Sequence, residues 1–251
     1  MDNIEMKPAT FQRKISSNIM KDKILITQLG KGGYKDTIYV YPDNNGSKKT
    51  GYAFDAVVDK ENPNKLLLIG TSGSGWSGVL DWYSLGLSDE RRIQADKIRK
   101  KLSENEPFTD WQSIERFIRE AGNFEIVKIA IVEPGSTQEQ LEEYPEILLN
   151  AFKDIVDEKR NTKIIFDISN GFRSMPLYIT MFVRYAGLIN RSEIEYSMYY
   201  GMYEASTNQG TPLVDLSAVS ELTDWVNAIS EFQSLGSVKG LCECLNREVT
   251  K

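Results

Sequence analysis

Short apolar runs alternate with amphipathic stretches along most of the chain. Runs of six or seven residues have the composition of buried strands, and they lie at Lys23–Leu29, Lys65–Gly70, Ile126–Val132, Lys163–Ile168 and Ile194–Tyr200. Apolar residues three and four positions apart predict helices, at Asp89–Leu102, Thr109–Ala121, Gln138–Lys159 and Pro176–Leu188. Pro145 predicts a break or kink in the helix that contains it. Strands alternating with helices predict an α/β fold with a mostly parallel sheet flanked by helices.

Four shorter segments complete the predicted pattern. Thr37–Pro42 and Thr50–Val57 are expected to be extended, on either side of a turn at residues 43–46. A hairpin is expected around Asn208-Gln209-Gly210. The segment from Ala218 to Lys251 is predicted to be helical, and it is too short for a second enzyme domain.

Length and charge limit the classes of function. A chain of 251 residues can form one large domain, or one domain with a small appendage, around a sizeable core. The formal net charge of -6 argues against a long nucleic-acid groove, which needs a broad basic face. It leaves room for a small anionic ligand held by a few Lys, Arg and N–H groups.

The sequence predicts a cytoplasmic protein. No apolar run approaches the ~20 residues of a membrane span, and Met1–Met20 is polar and mixed in charge, unlike a signal peptide. Two cysteines, Cys242 and Cys244, cannot form a disulfide framework, which fits a reducing compartment.

The chain contains no histidine. This removes the commonest general base, every Ser-His or Cys-His nucleophile pair and the usual zinc and iron ligand sets. No metal or other cofactor is predicted, and Cys242-Glu243-Cys244 is interpreted as part of a terminal helix. Any chemistry is expected to use positioning, Lys and Arg electrostatics, hydroxyl groups or carboxylates.

Three turns rich in small and polar residues each follow a predicted strand. Ligands of open α/β sheets bind at the carboxyl ends of the strands, and such turns can present backbone N–H groups to an anion. The sequence therefore predicts one anion site built from three distant segments, Leu29–Tyr34, Gly70–Trp76 and Asp167–Ser174. Their basic and aromatic residues favour a nucleotide-like ligand.

The first turn has the Gly30-x-Gly32 spacing of a dinucleotide-binding loop but lacks the third glycine. An extended segment follows it, where a dinucleotide site requires a helix. The turn is therefore either a glycine-rich hairpin or a loop whose N–H groups contact phosphate together with Lys31 and Lys35.

The second turn has the Gly-x4-Gly spacing of a P-loop at Gly70 and Gly75. Trp76-Ser77 stands where Lys-Ser/Thr is required, which argues against hydrolysis of a nucleoside triphosphate. The small donors before it can cradle an anion. Trp76 either stacks on a base or packs in the core.

The third turn leads into a predicted helix. Ser174 suits the N-cap and Pro176 the first helical turn, and helix N-termini favour anions. Asn170-Gly171 permits left-handed backbone geometry, and Arg173 supplies donors for phosphate. Asp167 is expected to orient the loop or cap it.

These turns, with Tyr199-Tyr200-Gly201 and Leu213–Ser217, resemble a CARF (CRISPR-associated Rossmann fold) domain of the Csx family. Asp167–Pro176 resembles the family pattern Asp-x-Thr-His-Gly-Phe/Asn-Arg-x-x-Pro, with Ser169 and Asn170 departing from it. The resemblance implies a Rossmann-like ligand-sensing domain at residues 23–217, after an N-terminal extension at residues 1–22. Residues 218–251 would be a helical tail, a linker or the start of an effector region.

The resemblance also implies a ligand and a partner. A homodimer would bind cyclic oligoadenylate, with cyclic tetraadenylate preferred, across its two-fold axis and would control an effector allosterically in type III CRISPR antiviral signalling. No membrane or long nucleic acid is expected as a partner. The expected ligand-binding residues are Gly30, Lys31, Gly32, Gly33, Tyr34, Thr71, Ser72, Gly73, Ser74, Trp76, Asn170, Gly171, Phe172 and Arg173.

Other functions stay open at this point. Family members often carry a HEPN ribonuclease with an Arg-x4-His motif, which a chain without histidine cannot contain. The main alternative is a ring nuclease that cleaves cyclic oligoadenylate by metal-independent 2′-OH attack, with candidate residues Lys31, Lys35, Ser72, Ser74 and Arg173. An NAD-dependent oxidoreductase and a Rossmann-like interaction domain are further alternatives.

Overall fold

Eight strands form one sheet in this computed structural model, which describes residues 22–42, 45–85, 87–104, 107–157, 161–171, 174–181 and 194–249. The strands are β1 (Asp22–Leu29), β2 (Thr37–Val40), β3 (Ser47–Thr50), β4 (Lys65–Gly70), β5 (Ile126–Ile131), β6 (Thr162–Asp167), β7 (Ile194–Gly201) and β8 (Thr211–Asp215). The helices are α1 (Ala53–Glu61), α2 (Trp76–Ser84), α3 (Asp89–Ser103), α4 (Trp111–Ala121), α5 (Gln138–Lys153), α6 (described over 175–181), α7 (Ser217–Leu235) and α8 (Lys239–Val249).

Several predicted features lie outside the described residues. They are the N-terminal extension up to residue 21, the turn residues Asp43 and Asn44, Phe172 with Arg173, and the second half of the predicted Pro176–Leu188 helix.

The sheet is mostly parallel, as predicted. Its strand order is β3-β2-β8-β7-β6-β1-β4-β5. Five neighbouring pairs are parallel, whereas β7 with β8 and β2 with β3 are antiparallel. The antiparallel return from β7 to β8 contains the expected turn, where Thr207 and Gly210 bridge. The fold class predicted from the sequence, α/β and Rossmann-like, is confirmed.

Helices cover both faces of the sheet. One core lies between the sheet and α1 to α4 and includes Phe54, Trp76 and Phe117. The other lies between the sheet and α5 with α6. Strand β1 contributes alternate residues to the two cores, which is why it reads as a continuous apolar run in the sequence.

The prediction that Thr50–Val57 is an extended segment is wrong beyond Thr50. Strand β3 ends there, and α1 begins at Ala53 after the N-cap residue Tyr52. Ala53, Phe54, Ala56 and Val57 are fully buried at helical spacing. Their packing against the sheet outweighs the β propensity of the aromatic and β-branched residues.

Two helices also differ from the sequence-based expectation. Helix α2 was not predicted, because Gly75 and Gly78 lower helix propensity around its start. Gly78 is required there, since a Cβ at that position would lie 2.5 Å from the Tyr52 hydroxyl. Helix α5 continues through Pro145 without a break and ends at Lys153, short of the predicted Lys159.

The tail is helical, as predicted, and forms the pair α7 and α8. Both cysteines lie on α8, with Cys244 buried and Cys242 exposed. None of the helices that the structure describes is long and apolar enough to cross a membrane. Within the same residues, no cluster of three or more His, Cys, Asp or Glu side chains could hold a metal ion.

A buried ion pair ties β1 to β4 at the amino ends of the strands. The Lys65 ammonium lies 2.5 Å from an Asp22 carboxylate oxygen and also donates to the Ile155 carbonyl at 2.9 Å. Both side chains are almost fully buried. Removing the Lys65 ammonium would take away the charge that compensates the buried Asp22 carboxylate, to which the Asn64 amide also donates at 3.3 Å. Breaking a buried ion pair in this way costs about 3–5 kcal/mol.

We therefore expect Lys65→Met to lower the free energy of unfolding by about 3–5 kcal/mol in urea denaturation. Lys97→Met, at an exposed lysine on α3, is the matched control and should change it by less than about 0.5 kcal/mol. A loss below about 1 kcal/mol for Lys65→Met would show that the pair does not hold these strands together.

Candidate functional site

The three turns singled out in the sequence meet at one edge of the sheet. Strand β1 lies between β4 and β6, and Leu29 pairs with Gly70 while Thr27 pairs with Asp167. The carboxyl ends of the three strands therefore lie side by side. We call this edge the carboxyl edge, and the segments leaving it loop A (residues 30–36), loop B (residues 71–75) and loop C (the described residues 168–171 and 174).

Loops A and B touch through their backbones. The Gly75 N–H donates to the Gly30 carbonyl at 2.8 Å, and the Ser74 hydroxyl donates to the Leu29 carbonyl at 2.7 Å. A Cβ on Gly75 would lie only 3.0 Å from the Gly32 Cα. Loop A is therefore not a hairpin that folds back on β1. It crosses the carboxyl edge to β2, which lies beyond β8.

Loop B uses two of its predicted ligand donors internally. The Ser74 hydroxyl, besides its bond to Leu29, accepts from the Thr71 N–H at 2.9 Å. Thr71 is buried, whereas Ser72 and Gly73 are exposed. The Thr71 and Ser74 hydroxyls lie 3.3 Å apart and shape the loop, and Ser72 with Gly73 is the part of loop B that faces solvent. Ligand binding by these four residues stays a prediction.

Trp76 is a core residue rather than a base-stacking one. Its side chain is 1% exposed, its indole N–H donates to the Thr71 carbonyl at 2.8 Å, and its ring packs 5.3 Å from that of Trp111. No face of the ring is open to a ligand. Of the two interpretations left open by the sequence, core packing is the one observed.

The N-terminus of α2 points to the carboxyl edge. Gly75 is its N-cap residue, and no side chain caps the first turn. The Trp76 N–H donates to the Ser74 carbonyl at 2.8 Å and the Gly78 N–H to the Gly75 carbonyl at 3.1 Å. The Ser77 N–H and the helix dipole are what make this end attractive to anions. The sequence did not reveal this feature, because the helix itself was not predicted.

Loop C is anchored by a buried carboxylate. Asp167 accepts hydrogen bonds from the Thr27 hydroxyl at 2.7 Å, from the Ser169 N–H at 3.0 Å and from the Ser169 hydroxyl. The Ser169 hydroxyl oxygen in turn accepts from the Gly201 N–H at 2.7 Å. Burial raises the pKa of Asp167, and the bonds from Ser169 and Thr27 oppose that shift. The predicted orienting role of Asp167 is confirmed.

Loop C lies against loop A at a glycine. Gly171 has φ +94°, the left-handed region that the Asn170-Gly171 pair predicted, and it is exposed. A Cβ on Gly30 would lie 3.5 Å from the Gly171 nitrogen. Asn170 is half-buried beside it. Phe172 and Arg173, which complete the predicted set in this loop, are outside the described residues.

Tyr34 closes loop A on itself. Its hydroxyl oxygen accepts from the Gly30 N–H at 2.8 Å, and its ring lies 5.0 Å from that of Tyr52. Burial raises the pKa of Tyr34 above its ordinary value, so the phenol stays protonated at neutral pH and can still donate to an acceptor. Tyr52 belongs to this site, and no sequence motif marked it because its position depends on where α1 begins.

Positive charge at this edge comes from loop A. Lys31 and Lys35 are exposed, as are Gly32 and Gly33. Neither lysine has an ion-pair partner within the described part of the chain. A chain with a net charge of -6 thus offers two exposed lysines in loop A. Lys31 is next to Gly32, which contacts the α2 N-cap residue Gly75, and a lysine beside a helix N-terminus suits a phosphate-bearing ligand.

The contact between loops A and B predicts a difference between two glycines. Gly75→Ala would force the loops apart and should lower the free energy of unfolding by about 1–3 kcal/mol. Gly73→Ala is the control, since its Cβ would meet only the Thr71 hydroxyl at 3.9 Å. Urea denaturation measures both, and equal effects would show that the loops are not in close contact.

Comparison with known proteins agrees with this geometry. The family model described as "CRISPR system endoribonuclease Csx1, CARF domain" matches residues 24–203. The chain is also 21% identical over 248 residues to the CRISPR-associated protein MJ1674 of Methanocaldococcus jannaschii, covering 90% of this chain and 38% of that protein. The chain thus spans well under half of the length of this relative. The family match runs from β1 through β7 and includes all three loops of the carboxyl edge. Since it covers well over half of the chain, the chain belongs to the Csx1 CARF domain family.

Proposed function

We propose that this chain is the cyclic oligoadenylate-sensing domain of a type III CRISPR antiviral signalling effector. The observation that carries the proposal is the meeting of loops A, B and C at one edge, beside the uncapped N-terminus of α2. Membership of the CARF family supports an oligoadenylate as the ligand.

The proposed phosphate contacts follow from what is exposed at the edge. Backbone N–H groups of Ser72, Gly73 and Ser77 would supply neutral donors, and Lys31 with Lys35 would supply charge. Charge-assisted hydrogen bonds of this kind are about twice as strong as neutral ones. The Tyr34 hydroxyl offers one more donor toward the ligand.

A homodimer explains how a small edge can hold a ring of several nucleotides. In an isologous dimer each subunit presents the same loops across the two-fold axis, and a cyclic homo-oligonucleotide can share that symmetry. The loops would then shift on binding and bias the arrangement of the two subunits. That shift would control the activity of an effector, which would be coupled to the domain through α7 and α8 or through a partner protein.

The alternative is a ring nuclease. A ribose 2′-oxygen would attack the adjacent phosphorus, the 5′-oxygen would leave with a proton, and the products would be linear with a 2′,3′-cyclic phosphate. Such a reaction needs alignment and charge stabilisation rather than a metal. Lys31, Lys35 and Ser72 are exposed where they could serve it, whereas the Ser74 hydroxyl is already engaged.

The test is to titrate the purified chain with cyclic tri-, tetra- and hexaadenylate in the absence of metal. Calorimetry should give one cyclic tetraadenylate per two chains, and mass spectrometry should show the ring intact after hours. Appearance of linear products would contradict the sensor function and support the ring nuclease. Absence of binding to all three rings would contradict both.

Replacing a loop A lysine should weaken that binding. We expect Lys31→Ala to raise Kd for cyclic tetraadenylate about tenfold, because a charge-assisted bond contributes about 1.5–3 kcal/mol and 1.4 kcal/mol is a factor of ten. Lys97→Ala, which removes an exposed lysine from α3, is the control and should leave Kd within about twofold. Equal losses in the two variants would point to net charge instead of a local contact.

The proposed homodimer has a candidate contact surface on α7. Val219, Leu222, Val226 and Ile229 are 44–65% exposed and recur at the three- and four-residue spacing of a helix-pairing seam. With Phe232 and Leu235, also exposed, they form an apolar stripe along α7. A stable dimer needs such a surface, because a standard interface buries ~800 Å² per partner. We assign this surface to a second copy of the chain.

Sedimentation velocity tests the assignment. The wild-type chain should sediment as a dimer, and Leu222→Asp combined with Val226→Asp should yield a folded monomer. Ile93→Asp, at an exposed apolar residue of α3, should leave the dimer intact. A monomeric wild type, or a dimer that survives the double change, would refute this contact.

A further inference from the structure

Gln28 has a buried side chain whose amide makes no hydrogen bond to the described residues. It is the penultimate residue of β1 and is 2% exposed. Neither its Oε1 nor its Nε2 has a hydrogen-bond partner within the described part of the chain. Burying an amide without a partner costs the desolvation of both groups, which an apolar side chain of the same shape would avoid. Stability of the fold therefore does not account for a glutamine here.

The neighbouring residue Thr27 shows the usual arrangement, in which a buried polar side chain is hydrogen-bonded. Thr27, next to Gln28 in β1, donates to Asp167, and Asp167 also accepts from Ser169. That buried set is fully connected, in contrast to the amide beside it. Among the residues that the structure describes, Gln28 is the only side chain with two buried polar atoms left unpaired.

Gln28 lies directly beneath the binding loops. A Cβ on Gly171 would lie 2.4 Å from the Gln28 Oε1 and 2.7 Å from its Cβ. Gly171 itself is exposed, with φ +94°. The backbone of this glycine in loop C thus covers the amide, and Gly30 of loop A adjoins it. A small displacement of loop C would open Gln28 to the carboxyl edge.

We infer that Gln28 is the specificity-determining residue for adenine, and that it pairs with the base when loop C moves. A glutamine amide can bond an adenine in two places, with Oε1 accepting from the N6 amino group and Nε2 donating to N7. The unpaired amide of the free protein gains both bonds in the complex, which favours ligands that can supply them. This inference rests on the proposed oligoadenylate function.

The matched variant is Gln28→Met, which keeps the size of the side chain and removes the amide. In the free protein no hydrogen bond is lost, so Tm should rise by about 2–4 °C. Affinity for cyclic tetraadenylate should fall at least about tenfold. Gln112→Met, at an exposed position on α4, is the control and should change neither quantity.

A second ligand separates base recognition from a structural role. The ring built from 7-deazaadenylate lacks the N7 acceptor, so the wild-type chain should bind it at least about tenfold more weakly than the natural ring. Gln28→Met should bind the two rings equally. This comparison uses the wild-type protein as well, so it does not depend on how the variant folds.

Each outcome bears on a separate claim. A Tm that falls by several degrees in Gln28→Met, or equal wild-type affinity for the two rings, would overturn the inference while leaving the sensor function intact. Absence of binding of any ring to the wild-type chain would overturn the proposed function, and the inference would fall with it.

Discussion

The candidate site depends on the register of three parallel strands. Strand β1 lies between β4 and β6 and pairs with both over six residues. That pairing brings Leu29 level with Gly70, and Asp167 level with Thr27 two residues earlier, so the loops that follow leave the sheet side by side. A shift of two residues in either pairing would preserve the buried faces but would separate the loops. The ion pair between Asp22 and Lys65 at the opposite edge adds a polar contact that favours the observed register.

The loops at the carboxyl edge contact one another through the backbones of glycines. Loops A and B approach at Gly32 and Gly75, and loops A and C at Gly30 and Gly171. Side chains at these positions would hold the loops apart and cover the N–H groups. A site of this kind would recognise an anion by shape and by neutral donors, with only a few lysines. It suits a chain that has no histidine and an acidic net charge.

The parts of the fold set by local pattern could be predicted from the sequence. The core strands are continuous apolar runs, and these predicted a mostly parallel sheet. The three turns carry glycine and small polar residues, and these predicted that a site lies at the carboxyl ends of the strands. Helix α2 could not be predicted, because Gly75 and Gly78 are explained only by contacts with Gly32 and Tyr52. Three further features also depend on contacts between distant parts of the chain, so the sequence alone did not show them. They are the exposure of Ser72 and Gly73, the burial of Trp76 and the position of Tyr52.

The buried state of Gln28 is a further case. In the sequence it is one polar residue in an apolar run, and nothing local distinguishes it from Thr27 beside it. The difference lies in partners that are distant in the chain. Thr27 meets Asp167, whereas Gln28 meets the bare backbone of Gly171.

Hydrogen exchange tests most directly whether loops A, B and C form one site. Amide exchange by mass spectrometry would be compared in the free chain and with saturating cyclic tetraadenylate. The account predicts that all three loops gain protection together, at the same ligand concentration, while α3 and α4 stay unchanged. Protection confined to a single loop, or located away from the carboxyl edge, would contradict it.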